Sequence, residues 1–237
     1  MSKHSELAPS GAHRWLNCTA SINSAKGISS KESKYSLEGS KAHELAESLI
    51  NQKGIINFNG YNFDSMYKYV KTYIEYVDLY RKSENCWLYE CEYETHIPTI
   101  NGVGTIDSLA MISDQIHIID LKYGVSRVKP DKNPQLMLYA SGVLDTFESI
   151  FDVSSIHLHI VQPRINKAGY FKEWVLGPSE LNYWIDTCVA PVVKKIKAGV
   201  NTYNSGEWCQ FCPIKDTCIE IIKKDFVGKE IQDEDIT

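Results

Sequence analysis

Asp107, Asp120 and Lys122 are the residues of this 237-residue chain whose types and spacing point most directly to chemistry. They lie in two stretches rich in Ile, Val and Leu, 102–112 and 115–121, separated by the polar pair Ser113-Asp114. Such text predicts a β-hairpin. A two-residue turn pairs Ile112 with Gln115, and the same register carried down the strands sets Asp107 opposite Asp120. A four-residue loop pairing Met111 with Ile116 keeps that register. Facing Cβ atoms lie about 4.5–5.5 Å apart. Two carboxylates at that distance repel, so the pair needs a cation or a shared proton. A hard divalent ion such as Mg²⁺ or Mn²⁺ takes oxygen ligands in this way, with the Leu121 carbonyl as a third donor. Side chains alternate along a strand, so Lys122 shares a face with Asp120, about 6.5–7 Å along. Acidic ligands, a water nucleophile and a nearby cation are the parts of metal-assisted phosphodiester hydrolysis. The plainer reading is two ordinary strand-end acids.

Further residues extend the set. Gln135 and Tyr139 are four apart and share a helix face, where an amide and a phenol can both hold phosphate oxygens. Arg127, Lys129 and Lys132 outnumber the single acid Asp131 in the preceding loop and form a candidate phosphate track, or else a solvated loop. Cys209-x₂-Cys212-x₅-Cys218 is a compact trio of thiols. Three thiolates need a fourth ligand to close a zinc site or hold a cubane cluster, and Cys18 is the candidate. Cys86, Cys91 and Cys188 read as core or incidental residues. His157 and His159 share a strand face, beside the sheet core or along a DNA groove.

The elements that must position these residues follow from periodicity. Short helix is expected within 10–20, a polar loop over 26–36, and helices over 38–50 and 64–80. Strands are expected over 87–97, 102–112 and 115–121, then a helix over 133–147 with Pro134 in its first turn. Strands over 156–161 and 170–176 precede a helix over 179–198, kinked or broken at Pro191. The order predicts an α/β (mixed α+β) chain with a central mixed sheet flanked by helices, in one domain spanning 1–237, with a solvated acidic tail over 229–237.

Composition bounds the function classes. Hydrophobic residues make up 43% and aromatics 11%, which suffices for a core and excludes global disorder. No apolar run approaches the roughly 18 residues of a membrane span, and residues 1–10 lack the apolar stretch of a signal peptide. A cytoplasmic location is therefore expected. The formal net charge of −5 disfavours a broadly basic, duplex-coating surface and favours a local basic patch. In a reducing compartment, clustered cysteines point to a metal more than to disulfides.

Gly104-Thr-Ile-Asp107 followed by Ile118-Ile-Asp120-Leu-Lys122 resembles the core motif of the PD-(D/E)XK nuclease superfamily. Glu38-Gly39-Ser40-Lys41-Ala42-His43 is similar to the Gly-x-x-x-His motif of its RecB-type branch, and Gln135-x-x-x-Tyr139 to that branch's Gln-x-x-x-Tyr motif. Ala12-His-Arg-Trp-Leu-Asn-Cys18 and Asn133-Pro-Gln-Leu-Met-Leu-Tyr139 resemble a phage and prophage group within it. The resemblance spans about 10–218 and implies a restriction-endonuclease-like core. It makes His43 a metal ligand beside Asp107 and Asp120, and it implies a third acid on the preceding strand, where Glu90, Glu92 and Glu94 alternate onto one face and Glu92 is favoured. It implies that Cys18, Cys209, Cys212 and Cys218 hold a [4Fe–4S] cluster joining the two ends of the chain, with Zn²⁺ as the alternative. It also implies exonuclease activity on DNA in phage-type recombination or processing, with a single-strand annealing or binding protein as a plausible partner. Two alternatives stand beside it: a catalytically silent DNA-binding module of the same fold, and a structural zinc protein. The sequence leaves the oligomeric state open, homo-oligomers included.

Overall fold

The computed structural model describes residues 6–28, 33–54, 57–165 and 169–224. The expected acidic tail lies outside them. Five strands form one mixed sheet in the order β1-β2-β3-β4-β5: Cys86–Ile97, Gly102–Ile112, Gln115–Leu121, Ser155–Gln162 and Tyr170–Leu176. β1, β2 and β3 form an antiparallel meander, β3 and β4 run parallel, and β5 returns antiparallel to β4. A parallel neighbour requires a crossover, and α5 (Pro134–Phe147) supplies it.

Two apolar layers cover the sheet. On one face α5 packs with α1 (Ala12–Asn17), α6 (Pro178–Trp184) and α7 (Ala190–Lys197) through Trp15, Leu136, Leu138, Leu181 and Val193. On the other, α3 (Lys34–Ile50) and α4 (Phe63–Arg81) bury Ala42, Leu45, Met66, Val70 and Tyr73 against Ile119, Leu121 and Val161. β3 and β4 thus lie between two layers, which accounts for their nearly continuous apolar text. The fold is the mixed α/β sheet flanked by helices that the element order predicts. Among the described residues no helix is long and apolar enough to cross a membrane.

Element ends follow local chemistry. α3 begins four residues before its expected start because the Ser33 hydroxyl caps it, accepting from the Ser36 N–H at 3.0 Å. Glu38 therefore lies inside the helix, not at its N-terminus. Asn62 caps α4 and Asn133 caps α5 in the same way. The expected 10–20 helix is split at Cys18, whose extended backbone separates α1 from a second short helix, α2 (Ala20–Asn23). The expected break near Pro191 is a π-helical turn over Ile185–Val189, where the ladder loosens ahead of a residue that has no N–H to donate.

Candidate metal centre and its polar relay

The hairpin register is the expected one. Ile112 pairs with Gln115 and the ladder continues to Ser108 opposite Ile119, with Ser113 taking a left-handed φ of 52° in the two-residue turn. It stops one position short of Asp107 and Asp120. The reason lies in β1 and β2 together. Tyr89 and Cys91 pack on the α3/α4 face, whereas Leu88, Tyr93 and Ile97 pack on the α5 face. The in–out alternation of β1 therefore inverts around Glu92, which has a left-handed φ of 56°. β2 inverts opposite it: Ile106 and Leu109 both face α5, while Ser108 takes the Tyr73 hydroxyl from α4 at 3.0 Å. The sequence expectation of Glu90, Glu92 and Glu94 sharing one face is thus corrected. Glu92 is singled out, because the αL residue reverses the pleat at its own position.

This irregularity gathers a trio. His43, Glu92 and Asp107 each offer a ligand atom, all within 4.8 Å of one another. His43 Nδ1 lies 3.2 Å from Asp107 Oδ1, and Asp107 Oδ2 accepts the Leu121 N–H at 2.7 Å. Asp107 therefore does not sit squarely opposite Asp120; it braces the end of β3 through Leu121, whose side chain is buried in the α3/α4 layer. Asp120 belongs to a second group. Lys122 Nζ lies 2.9 Å from Asp120 Oδ2 and 3.1 Å from Oδ1, but only Oδ1 receives a well-angled hydrogen bond. Asp120 Oδ2 is left buried without one. Lys122 also donates to Gln135 Oε1 at 3.0 Å, and Gln135 Nε2 donates to the Tyr139 hydroxyl at 2.9 Å. The relay Asp120–Lys122–Gln135–Tyr139 thus links the end of β3 to the first turns of α5.

Charges in this space act on one another. Burial alone would lower the His43 pKa, but the charge and hydrogen bond of Asp107, with Asp120 adding, raise it to about 9. Burial pushes the Glu92 carboxyl up to about 7, with Asp107 adding repulsion. It pushes Asp120 up to about 6 against the pull of Lys122. Asp107 is held low despite its burial, by His43, Lys122 and the Leu121 N–H. Three carboxylates share a site with only two cations, the condition expected where a divalent ion supplies the missing charge.

The donor set fits such an ion: carboxylate oxygens with one imidazole, and a buried Asp120 Oδ2 whose cationic neighbour, Lys122 Nζ at 2.9 Å, is poorly angled for a hydrogen bond. Glu47, one turn beyond His43 on α3, adds repulsion on Glu92. Its i+4 spacing from His43 was the signal that could have marked it.

Gly104 has a packing role. A Cβ there would stand 2.5 Å from Tyr139 Cε1, so its hydrogen lets the Tyr139 ring lie against β2. Arg127, Lys129 and Lys132 are exposed in the loop before α5, with the Arg127 guanidinium 5.1 Å from the centre of the Tyr170 ring. Buried Gln162 braces that loop, accepting from the Val128 N–H at 2.8 Å and donating to the Ser126 carbonyl at 3.0 Å. Arg164 ties Glu38 to the end of β3, 3.1 Å from Glu38 Oε2, and stacks on the Tyr123 ring.

Burial raises the Cys212 thiol, which has Arg14, Cys209 and Cys18 as neighbours. The Gly206 N–H points to Cys209 Sγ at 3.5 Å. Cys18 and Cys218 are buried. Among the described residues no three of these sulfur atoms lie within 4.8 Å of one another.

The profile of the family described as "Protein of unknown function (DUF2800)" matches residues 4–234. A crystal structure of a protein named "Putative exonuclease" from Eubacterium rectale aligns over 87% of this chain and 86% of its own, at 12% identity and a TM-score of 0.52. That likeness is one of fold. A second solved structure, SSO0001, aligns over 85% of this chain and 94% of its own at 13% identity, with a TM-score of 0.35 that carries no argument.

Proposed function

We propose that this chain, which belongs to the DUF2800 family and has a nuclease-like fold, is a Mg²⁺- or Mn²⁺-dependent deoxyribonuclease of the PD-(D/E)XK type. The observation that carries the reading is the convergence of His43, Glu92 and Asp107 within 4.8 Å, next to the Asp120–Lys122–Gln135–Tyr139 relay. His43, Asp107, Asp120 and the Leu121 carbonyl would hold the ion, with Glu92 as the third acid. A divalent ion there supplies Lewis acidity at the scissile phosphate and lowers the pKa of water. Lys122, tied to Asp120, places a positive charge where the phosphate gains negative charge. Gln135 and Tyr139 orient the strand through its phosphate oxygens, and Arg127, Lys129 and Lys132 extend the positive track. The resemblance to RecB-type phage proteins favours an exonuclease in DNA recombination or processing, with a single-strand annealing or binding protein as partner. It also favours a [4Fe–4S] cluster on Cys18, Cys209, Cys212 and Cys218, structural in role because hydrolysis moves no electrons.

The test incubates purified protein with end-labelled linear duplex, single-stranded and circular DNA in Mg²⁺ or Mn²⁺. Metal-dependent cleavage that drops about 10²-fold or more in Asp120→Ala is the expected result. DNA binding without cleavage in the wild type would instead identify a silent binding module.

A further inference from the structure

A second cluster lies on the α3/α4 face of the sheet, where β3, β4 and β5 run side by side: His117, His157, His159 and Glu173. One ligand atom from each lies within 4.8 Å of all the others. His117 Nδ1 is 3.2 Å from His159 Nε2, His159 Nε2 is 3.7 Å from Glu173 Oε1, and His157 Nδ1 is 2.6 Å from the same Oε1. Around a tetrahedral ion with bonds of about 2.0–2.1 Å, neighbouring ligand atoms stand about 3.3 Å apart.

The far nitrogens are as informative as the near ones. His117 Nε2 meets Gln115 Oε1 at 3.3 Å, His159 Nδ1 meets the Tyr76 hydroxyl at 3.0 Å, and His157 Nε2 meets Ser155 Oγ at 3.0 Å. All three imidazoles thus turn one nitrogen to a common centre and have the other held by an outer polar group. That is how metal-ligating histidines are oriented. Gln115 Oε1 can only accept, so it places the His117 proton on Nε2 and leaves the Nδ1 lone pair facing the centre. Tyr80 closes the site from α4, its ring 4.8 Å from that of His159. His159 is fully buried and His117 nearly so, whereas Glu173 is 40% exposed and leaves a route from solvent.

We infer that His117, His157, His159 and Glu173 form a binding site for a divalent transition-metal ion, Zn²⁺ or one of its neighbours, separate from the nuclease centre. Three imidazoles and one carboxylate select such ions over Mg²⁺. Four protein ligands close the coordination, so the ion acts as a clamp fastening the β5 edge to β3 and β4. None of this depends on the nuclease reading.

The experiment counts Zn²⁺ bound after equilibrium dialysis of full-length wild type, His157→Ala and Glu173→Gln, with Asp107→Asn and Cys212→Ser as controls for the other two sites. The expected result is loss of one bound equivalent in each of the first two variants, with that equivalent retained in both controls. Folded His157→Ala and Glu173→Gln proteins that hold as much zinc as wild type would overturn the inference, and would leave these residues as a self-satisfied hydrogen-bond network. Should the variants not fold, zinc-edge X-ray absorption of the wild type decides: a nitrogen shell near 2.0 Å with imidazole scattering supports the site, and sulfur alone near 2.3 Å refutes it.

Discussion

At the scale of single residues, the candidate centre holds more negative charge than its own side chains can balance. His43 is its switchable cation. Its folded-state pKa of about 9 lies above the ordinary histidine value of 6.5, so its ion pair with Asp107 stabilises the metal-free fold fully below about pH 6.5. That contribution is lost as the pH rises through 9. Urea unfolding in a chelator should show wild type losing about 1–2 kcal/mol between pH 6 and pH 9.5, a figure reduced for the imidazole's access to water. His43→Gln should lose much less. A wild type as stable at pH 9.5 as at pH 6 would refute the ion pair. Gly104 makes a steric prediction. Gly104→Ala drives a methyl into the Tyr139 ring and should cost about 1–3 kcal/mol in the same measurement, because both ring and strand are held by close packing.

At the scale of elements, the centre depends on an interruption of regular structure. Glu92 and Asp107 reach His43 because β1 and β2 reverse their pleat at the same level while the pairing on either side, Cys91 with Ser108 and Tyr93 with Ile106, keeps one register. The loop between β3 and α5 has no regular structure of its own and relies on Gln162. Gln162→Ala removes its bonds to Gly124, Ser126 and Val128 and should cost about 1–3 kcal/mol. Amide exchange should accelerate around Val128 with little change in the β1–β2 ladder. Uniform acceleration across the sheet would show that Gln162 supports the core instead.

At the scale of the whole molecule, the two ends of the described chain meet. Thr19 donates to the Val200 carbonyl at 2.8 Å and accepts the Thr202 N–H at 2.8 Å, while Arg14 donates to the Phe211 carbonyl at 3.2 Å. These bonds bring Cys18 to the segment that carries Cys209 and Cys212. With a cluster on the four cysteines, anaerobically purified protein should be brown, absorbing near roughly 400 nm. Cys18→Ser and Cys212→Ser should bleach it and open the segment after Val200 to proteolysis. A colourless anaerobic protein with stoichiometric zinc lost in the same variants would replace iron by zinc.

The sequence by itself determined what local rules govern. Apolar periodicity set the order of helices and strands, and the two-residue turn set the hairpin register that brings the Asp107 and Asp120 segments together. Four-residue spacing put Gln135 and Tyr139 on one face of α5. Only the tertiary structure decided what depends on partners distant in the chain. The left-handed residue at Glu92 breaks the alternation that sequence reasoning assumes, so the face Glu92 occupies was not legible. Arg164 and Gln162 act on segments that no local spacing connects to them. His117 and Glu173 join His157 and His159 only because β3, β4 and β5 lie side by side, β4 placed beside β3 by the α5 crossover and β5 folded back antiparallel onto β4.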